Sequence, residues 1–293
     1  MQKIGYYRKS GELFLQNVSL KKLANQYGTP TFIYDSNLIK KSFHLLKNIM
    51  DPLNGKIHFA VKSNDNLGII KYINNLGAGA DVVSIGELKR CLKVSVKPKD
   101  IIFSGVGKQK DEIEFAINQN IKQLNAESIE ELKEIIEISN KIKKKVNVAL
   151  RVNLDINAKT HKKISTGDEN SKFGIIYEDI VNAYKLINEA SFINPYGLAV
   201  HVGSQLFDYD VFFQTFSKIK HLAIELRNLG YEINHLDLGG GFGIDYTMKN
   251  SLDFESFSRA LNEIFKNEEF QLSIEPGRSL IAESGILLTK VIR

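Results

Sequence analysis

Eight apolar, strand-like runs recur along this chain, most of them separated by an amphipathic helical pattern, and no other feature restricts its fold as strongly. The runs cover 57–62, 79–84, 101–105, 121–126, 146–153, 196–203, 235–239 and 272–276. Helical spacing of apolar residues fills 67–76, 85–92, 110–118, 128–142, 177–189, 211–229 and 254–266. Eight β/α repeats in succession are the mark of an α/β fold closed as a parallel (β/α)8 TIM-type barrel. A doubly wound open sheet is the structural alternative, but it rarely needs so many strands in a row. Ahead of the repeats lie β-like patches at 4–7 and 12–15, a capped helix over 19–27, a strand at 31–35 and a helix over 36–50. Together with the final apolar run, 286–292, these surplus strands predict a second, β-rich module built from both termini and incomplete in this chain. The expected division is 1–35 for the N-terminal strands, 36–280 for the barrel and 281–293 for the start of a truncated C-terminal β domain.

Composition narrows the function classes. Of 293 residues, 43% are apolar and 25% charged, an ordinary globular balance. The net charge is +5, yet the lysines are scattered. Their densest cluster, Lys141 to Lys145, closes a charged helical pattern where the helix dipole favours cations. No interleaved aromatics accompany it, so nucleic acid is not an expected partner. The single cysteine, Cys91, excludes an internal disulfide framework and a multi-cysteine metal site, and no metal is expected. Neither a secretory h-region nor a run of eighteen apolar residues is present, so a cytoplasmic protein with no membrane span is expected.

The ends of the eight strands should face one another across one mouth of the barrel, where such folds keep their chemistry. In chain order they present Lys62, Asp81, Asn125, Arg151, His201 with Ser204, Gly239-Gly240-Gly241, and Glu275-Pro276-Gly277-Arg278. Lys62 is a single amine at the end of a buried strand. Gly239 to Gly241 offer three successive backbone N–H groups, a nest for an anion after the seventh strand. Arg278 could pair a phosphate or a carboxylate bidentately. Glu275 ends an apolar strand, and a carboxylate there must be paired, because burying it bare is costly. His201, taken alone, reads as a satisfied core histidine. The Gly105-Val106-Gly107-Lys108 loop lacks the Walker spacing and is rejected as a P-loop.

These motifs resemble the fold type III pyridoxal-phosphate decarboxylases, and their diaminopimelate branch most closely. The resemblance rests on Tyr27-Gly28-Thr29-Pro30 with Tyr34-Asp35; Phe59-Ala60-Val61-Lys62-Ser63-Asn64; the run Gly79 to Leu88; Lys163-Ile164-Ser165-Thr166-Gly167 with Ser171-Lys172-Phe173-Gly174; His201-Val202-Gly203-Ser204-Gln205; Asp237 to Gly243; and Glu275-Pro276-Gly277-Arg278. They stand in the family's order over nearly the whole chain.

The resemblance implies pyridoxal 5'-phosphate as cofactor, held covalently by Lys62 as the catalytic residue. His201 would stack on the ring, and Glu275 would bind its protonated nitrogen. Ser204, Gly239, Gly240, Gly241 and Gly277 would cradle the phosphate. Arg278 would face the phosphate, the substrate carboxylate, or both. The implied reaction is decarboxylation of meso-2,6-diaminopimelate to L-lysine, a small-molecule amino-acid substrate, in an enzyme that forms a homodimer when full length. Alternatives are decarboxylation of another basic or polyamine-precursor amino acid, or a catalytically incomplete cofactor-binding relative. The family's Cys-Glu half-site is not among these residues. Cys91 falls inside a helical pattern, where packing is its expected role.

Overall fold

The computed structural model describes residues 5–156, 173–247 and 252–293. Its centre is a cylinder of eight parallel strands: β1 (Lys56–Ala60), β2 (Gly79–Val82), β3 (Ile101–Phe103), β4 (Gln123–Ala126), β5 (Val146–Asn153), β6 (Ile193–Ala199), β7 (His235–Asp237) and β8 (Gln271–Ile274). Each strand pairs with its successor. β8 then returns to β1 through Ser273↔Lys56 and Ile274↔Ile57, so the sheet has no free edge. The expected barrel is the fold.

The helices follow the strands: α1 (Leu67–Asn75), α2 (Ile85–Lys93), α3 (Lys110–Asn118), α4 (Ile129–Ile142), α5 (Ile180–Glu189), α6 (Tyr209–Asn228), α7 (Phe254–Phe265) and a single turn, α8 (Arg278–Ile281). Their starts are written in side chains. Asn66, Ser84, Ser128, Asp208 and Asp253 each accept a backbone N–H of the first turn. Helix faces and outward strand faces merge into one apolar layer around the cylinder.

Most elements differ from the sequence reading by a residue or two at their ends, and four differences bear on the site or the termini. The first run ends at Ala60, and Val61–Ser63 forms a 3-10 turn that carries Lys62. Ser63 Oγ donates to the carbonyl of Ala60 at 2.8 Å, which ties the turn back to the strand end. The sixth strand lies earlier than expected, so His201 stands beyond its end rather than inside it. The first β patch lies at Tyr6–Lys9 and pairs with Glu12–Leu15; residues 1–4 lie outside the described residues. The last run pairs only over Gly285–Leu288, antiparallel to Thr31–Tyr34. Beyond it Val291 and Ile292 are 85% and 87% exposed, and in the short sheet the paired Phe32 and Leu287 are 66% and 52% exposed.

One aromatic cluster ties helices to the glycine-rich loop after β7. The Phe257 ring on α7 meets Phe212 on α6 at 5.4 Å and Phe242 of that loop at 5.1 Å, both edge to face. All three rings are buried. Phe257→Ala should cost about 3–5 kcal/mol of stability. Denaturant unfolding checks this, and a loss below about 1 kcal/mol would show that the cluster does not hold the loop.

Candidate active site

The strand ends converge as the barrel requires. Lys62, His201 and Glu275 line two adjoining cavities at one mouth, of about 450 and 400 Å³. The first is completed by Ser204, Gly241, Gly277, Arg278 and Tyr246; the second runs past Asn125, Arg151 and Phe173. A larger cleft of about 790 Å³, along Asn153, Tyr177 and His221, contains none of the predicted site residues.

Strand register sets the neighbours of Lys62. Ala60 sits opposite Asp81, so the lysine two residues on leans over the next strand. Its Nζ donates to Asp81 Oδ2 at 2.9 Å, while 45% of its side-chain surface stays open. Burial pushes this amine down, but Asp81 and Glu275 outweigh it and hold it above the ordinary lysine value. Asp81 itself is fully buried, and among the described residues its Oδ1 has no donor.

His201 is fixed by the glycine loop. Gly240 N–H donates to His201 Nδ1 at 3.3 Å, so Nε2 carries the hydrogen. Burial, with Arg151 and Lys62 nearby, pushes the ring well below its ordinary pKa, and it is neutral near pH 7. Arg151 braces the same residue, one of its nitrogens donating to the His201 carbonyl at 3.5 Å. It donates to Glu127 Oε2 at 2.7 Å and lies 4.8 Å over the Phe173 ring.

The expected nest of three free N–H groups is not formed. Gly239 N–H donates to Asp237 Oδ1 at 3.1 Å, and Gly240 N–H is spent on His201. A Cβ at Gly239 would strike the Val200 carbonyl, and one at Gly240 the Glu275 carbonyl. These two glycines let the protein's own strand ends approach, and only Gly241 lines the cavity. Gly241 is positioned with Ser204 by a zipper of bonds. Leu206 N–H donates to Gly241 O at 2.9 Å, and Gln205 exchanges two bonds with the backbone of Ile244. Gly277 lies against Ala60 and Ser63, and Arg278 reaches Tyr246 Oη at 3.4 Å.

Sequence reasoning missed Asp237. It ends β7, fully buried, and its side chain is a hydrogen-bonding neighbour of Glu275. The signal was available, because Leu236-Asp237-Leu238 buries a carboxyl just as the stretch before Glu275 does. Burial drives Glu275 well above the carboxylate range, reinforced by Asp237 and Asp81, while Lys62 pulls it partly back. Burial likewise pushes Asp237 up to about 6. Three buried carboxyls thus crowd the end of the site where Lys62 pairs with Asp81.

The comparisons agree with this geometry. Residues 36–282 match the family model described as "Pyridoxal-dependent decarboxylase, pyridoxal binding domain". The chain belongs to the pyridoxal-dependent decarboxylases. Within that family it is 39% identical to a diaminopimelate decarboxylase of Neisseria meningitidis, over 95% of this chain and 67% of the relative. It is 37% identical to that of Aquifex aeolicus, over 97% and 67%. The crystal structure of diaminopimelate decarboxylase from Helicobacter pylori complexed with L-lysine superposes with a TM-score of 0.91 at 36% identity, covering 94% of this chain and 70% of that one. The chain thus spans about two thirds of these relatives' length. The Lys163–Gly167 stretch and Ser171-Lys172 lie outside the described residues. Among the described residues no helix is long and apolar enough to cross a membrane.

The carboxyl cluster sets a pH dependence. Asp237 and Glu275 have folded pKa values above their unfolded ones of about 4, so they destabilise the fold as pH rises through the folded values. The stability they permit is complete below about pH 4 and is lost as pH rises through the folded values, about 6 for Asp237. In protein without added cofactor, Glu275→Gln should therefore raise Tm relative to wild type at pH 8 and barely change it at pH 5. Thermal melts across that range check this, and a pH-independent difference would contradict it.

Proposed function

We propose that the chain decarboxylates meso-2,6-diaminopimelate to L-lysine with pyridoxal 5'-phosphate as cofactor. The observation that carries the reading is the charge of the site. Asp81 and Glu275 flank the Lys62 amine, which is paired with Asp81, and Asp237 stands behind Glu275, so the acids outnumber the amine among them; among the described residues Asp81 Oδ1 has no donor. Such a pocket calls for a cationic N–H, and a protonated pyridine nitrogen fits it. At the other end of the 450 Å³ cavity, Ser204, Gly241, Gly277 and Arg278 give a hydroxyl, backbone and a guanidinium for a phosphate. The residues present fit the cofactor.

Bound there, pyridoxal 5'-phosphate supplies an electron sink for the pair left behind when the α-carboxylate departs as carbon dioxide. Lys62 holds the cofactor through Nζ. Its amine rests protonated, so nucleophilic attack requires a proton to leave, and Asp81 Oδ2, at 2.9 Å, is the atom placed to accept it. His201, kept neutral and oriented through Nδ1, offers a ring face without adding charge. Glu275 would hold the protonated ring nitrogen. Arg278 serves the phosphate, the substrate carboxylate, or both.

Substrate choice is supported by the run of curated diaminopimelate decarboxylases at 35–39% identity and by L-lysine in the Helicobacter pylori crystal. The reading includes a homodimer and a cytoplasmic setting, both drawn from the family resemblance. It keeps the division at 1–35, 36–280 and 281–293, whose central part is supported by the matched segment 36–282.

Carbon dioxide should be released from diaminopimelate and not from ornithine or arginine. Lys62→Ala should abolish both turnover and the visible absorbance of lysine-bound cofactor. Glu275→Gln should lower kcat by at least about 100-fold, the scale of losing one charge-stabilising group. Near-normal turnover in either variant, or preference for ornithine, would overturn the assignment.

A further inference from the structure

Glu275 lines both cavities of the mouth, whereas Asp237 lines neither and stands behind it. One glycine couples them. Gly239 N–H donates to Asp237 Oδ1 at 3.1 Å, and Glu275 N–H donates to the carbonyl of the same Gly239 at 2.8 Å. Asp237 Oδ2 and Glu275 Oε1 are buried with no N–H or O–H donor in reach among the described residues. Yet the two side chains are hydrogen-bond neighbours. Two ionised carboxylates offer only acceptors, so a bond between them requires that one keep a proton. The other charged groups facing the pair do not replace it. Lys62 donates to Asp81, and Lys122 approaches His58 Nε2 at 3.3 Å, acting on the acids only through space.

Position decides which acid holds the proton once a cation enters the cavity. A ring N–H can reach Glu275 but not Asp237, so Glu275 gains most from being ionised. We propose that Asp237 is a positioning residue: it keeps the proton of the pair and donates it to Glu275 from behind, leaving Glu275 an ionised oxygen turned to the cavity. This rests on the cofactor reading for the identity of the cation, though not for the shared proton. The rival role for Asp237 is a second anion that adds its charge to the site.

The two roles separate by substitution. In Asp237→Asn, Oδ1 can still accept the Gly239 N–H while the amide N–H permanently supplies the donor. Asp237→Ala removes both. The probe is pyridoxamine 5'-phosphate, which keeps the ring nitrogen and phosphate but has no aldehyde to condense with Lys62. Asp237→Asn should bind it within about threefold of wild type, with affinity flat between pH 6 and 9, whereas wild type weakens as the shared proton is lost. Asp237→Ala should bind at least about tenfold more weakly, the scale of one lost buried hydrogen bond. If Asn binds as poorly as Ala, Asp237 is needed as an anion and the proposal fails; if Ala binds like wild type, it positions nothing.

A second arm uses protein without cofactor. The Tm of wild type should fall relative to Asp237→Asn as pH rises from 5 to 8. Parallel profiles would remove the shared proton and the proposal with it. Diverging profiles in a wild type that does not bind the probe would leave the shared proton standing and overturn the proposed function.

Discussion

The site depends on the closure of the cylinder between β8 and β1. Ser273↔Lys56 and Ile274↔Ile57 are the last rungs, and Ala60 N–H then donates to the Pro276 carbonyl at 3.1 Å. That seam sets the turn bearing Lys62 beside the loop bearing Glu275, Gly277 and Arg278. In an open sheet these two strands would be far-apart edges, and the amine and acid would never meet. Closure also removes water from the strand ends, which shifts the carboxyls, the histidine and the amine from their solution behaviour.

Stability and chemistry pull against each other in the same few residues. Asp81, Asp237 and Glu275 crowd three acids into a buried space beside the one amine of Lys62, an arrangement that no stability argument would select. Gly239 and Gly240 each give up a side chain so that strand ends can touch. The cost is coherent once a cationic ring completes the charge. A ligand that binds only the folded state returns the lost stability by mass action.

Much of the architecture was legible because the strands are buried on both faces and read as apolar runs, while the helices carry side-chain caps such as Ser84 and Ser128. The helices over 36–50 and 110–118 fall where periodicity puts them. Rejecting Gly105-Val106-Gly107-Lys108 as a phosphate loop agrees with Lys108, which is buried, pairs with Glu131 at 2.8 Å and lies over the Phe103 ring. Cys91 is a core residue whose thiol burial pushes up to about 12. Less legible were the ends of elements and the purpose of small residues. Ser63 ties a turn back to a strand end through one side-chain bond that no period encodes. The triple glycine looked like a ligand cradle because sequence shows missing side chains but not what would have struck them. Asp237 was overlooked since its importance lies in a neighbour from another strand.

The central claim is that Lys62, among 39 lysines and arginines, is where the cofactor attaches. Reductive trapping with borohydride after incubation with pyridoxal 5'-phosphate, followed by peptide mapping, tests it directly. The account predicts one phosphopyridoxyl group per chain, on the peptide containing Lys62. A stoichiometric label on another lysine, such as Lys108 or Lys122, with Lys62 unmodified, would contradict it.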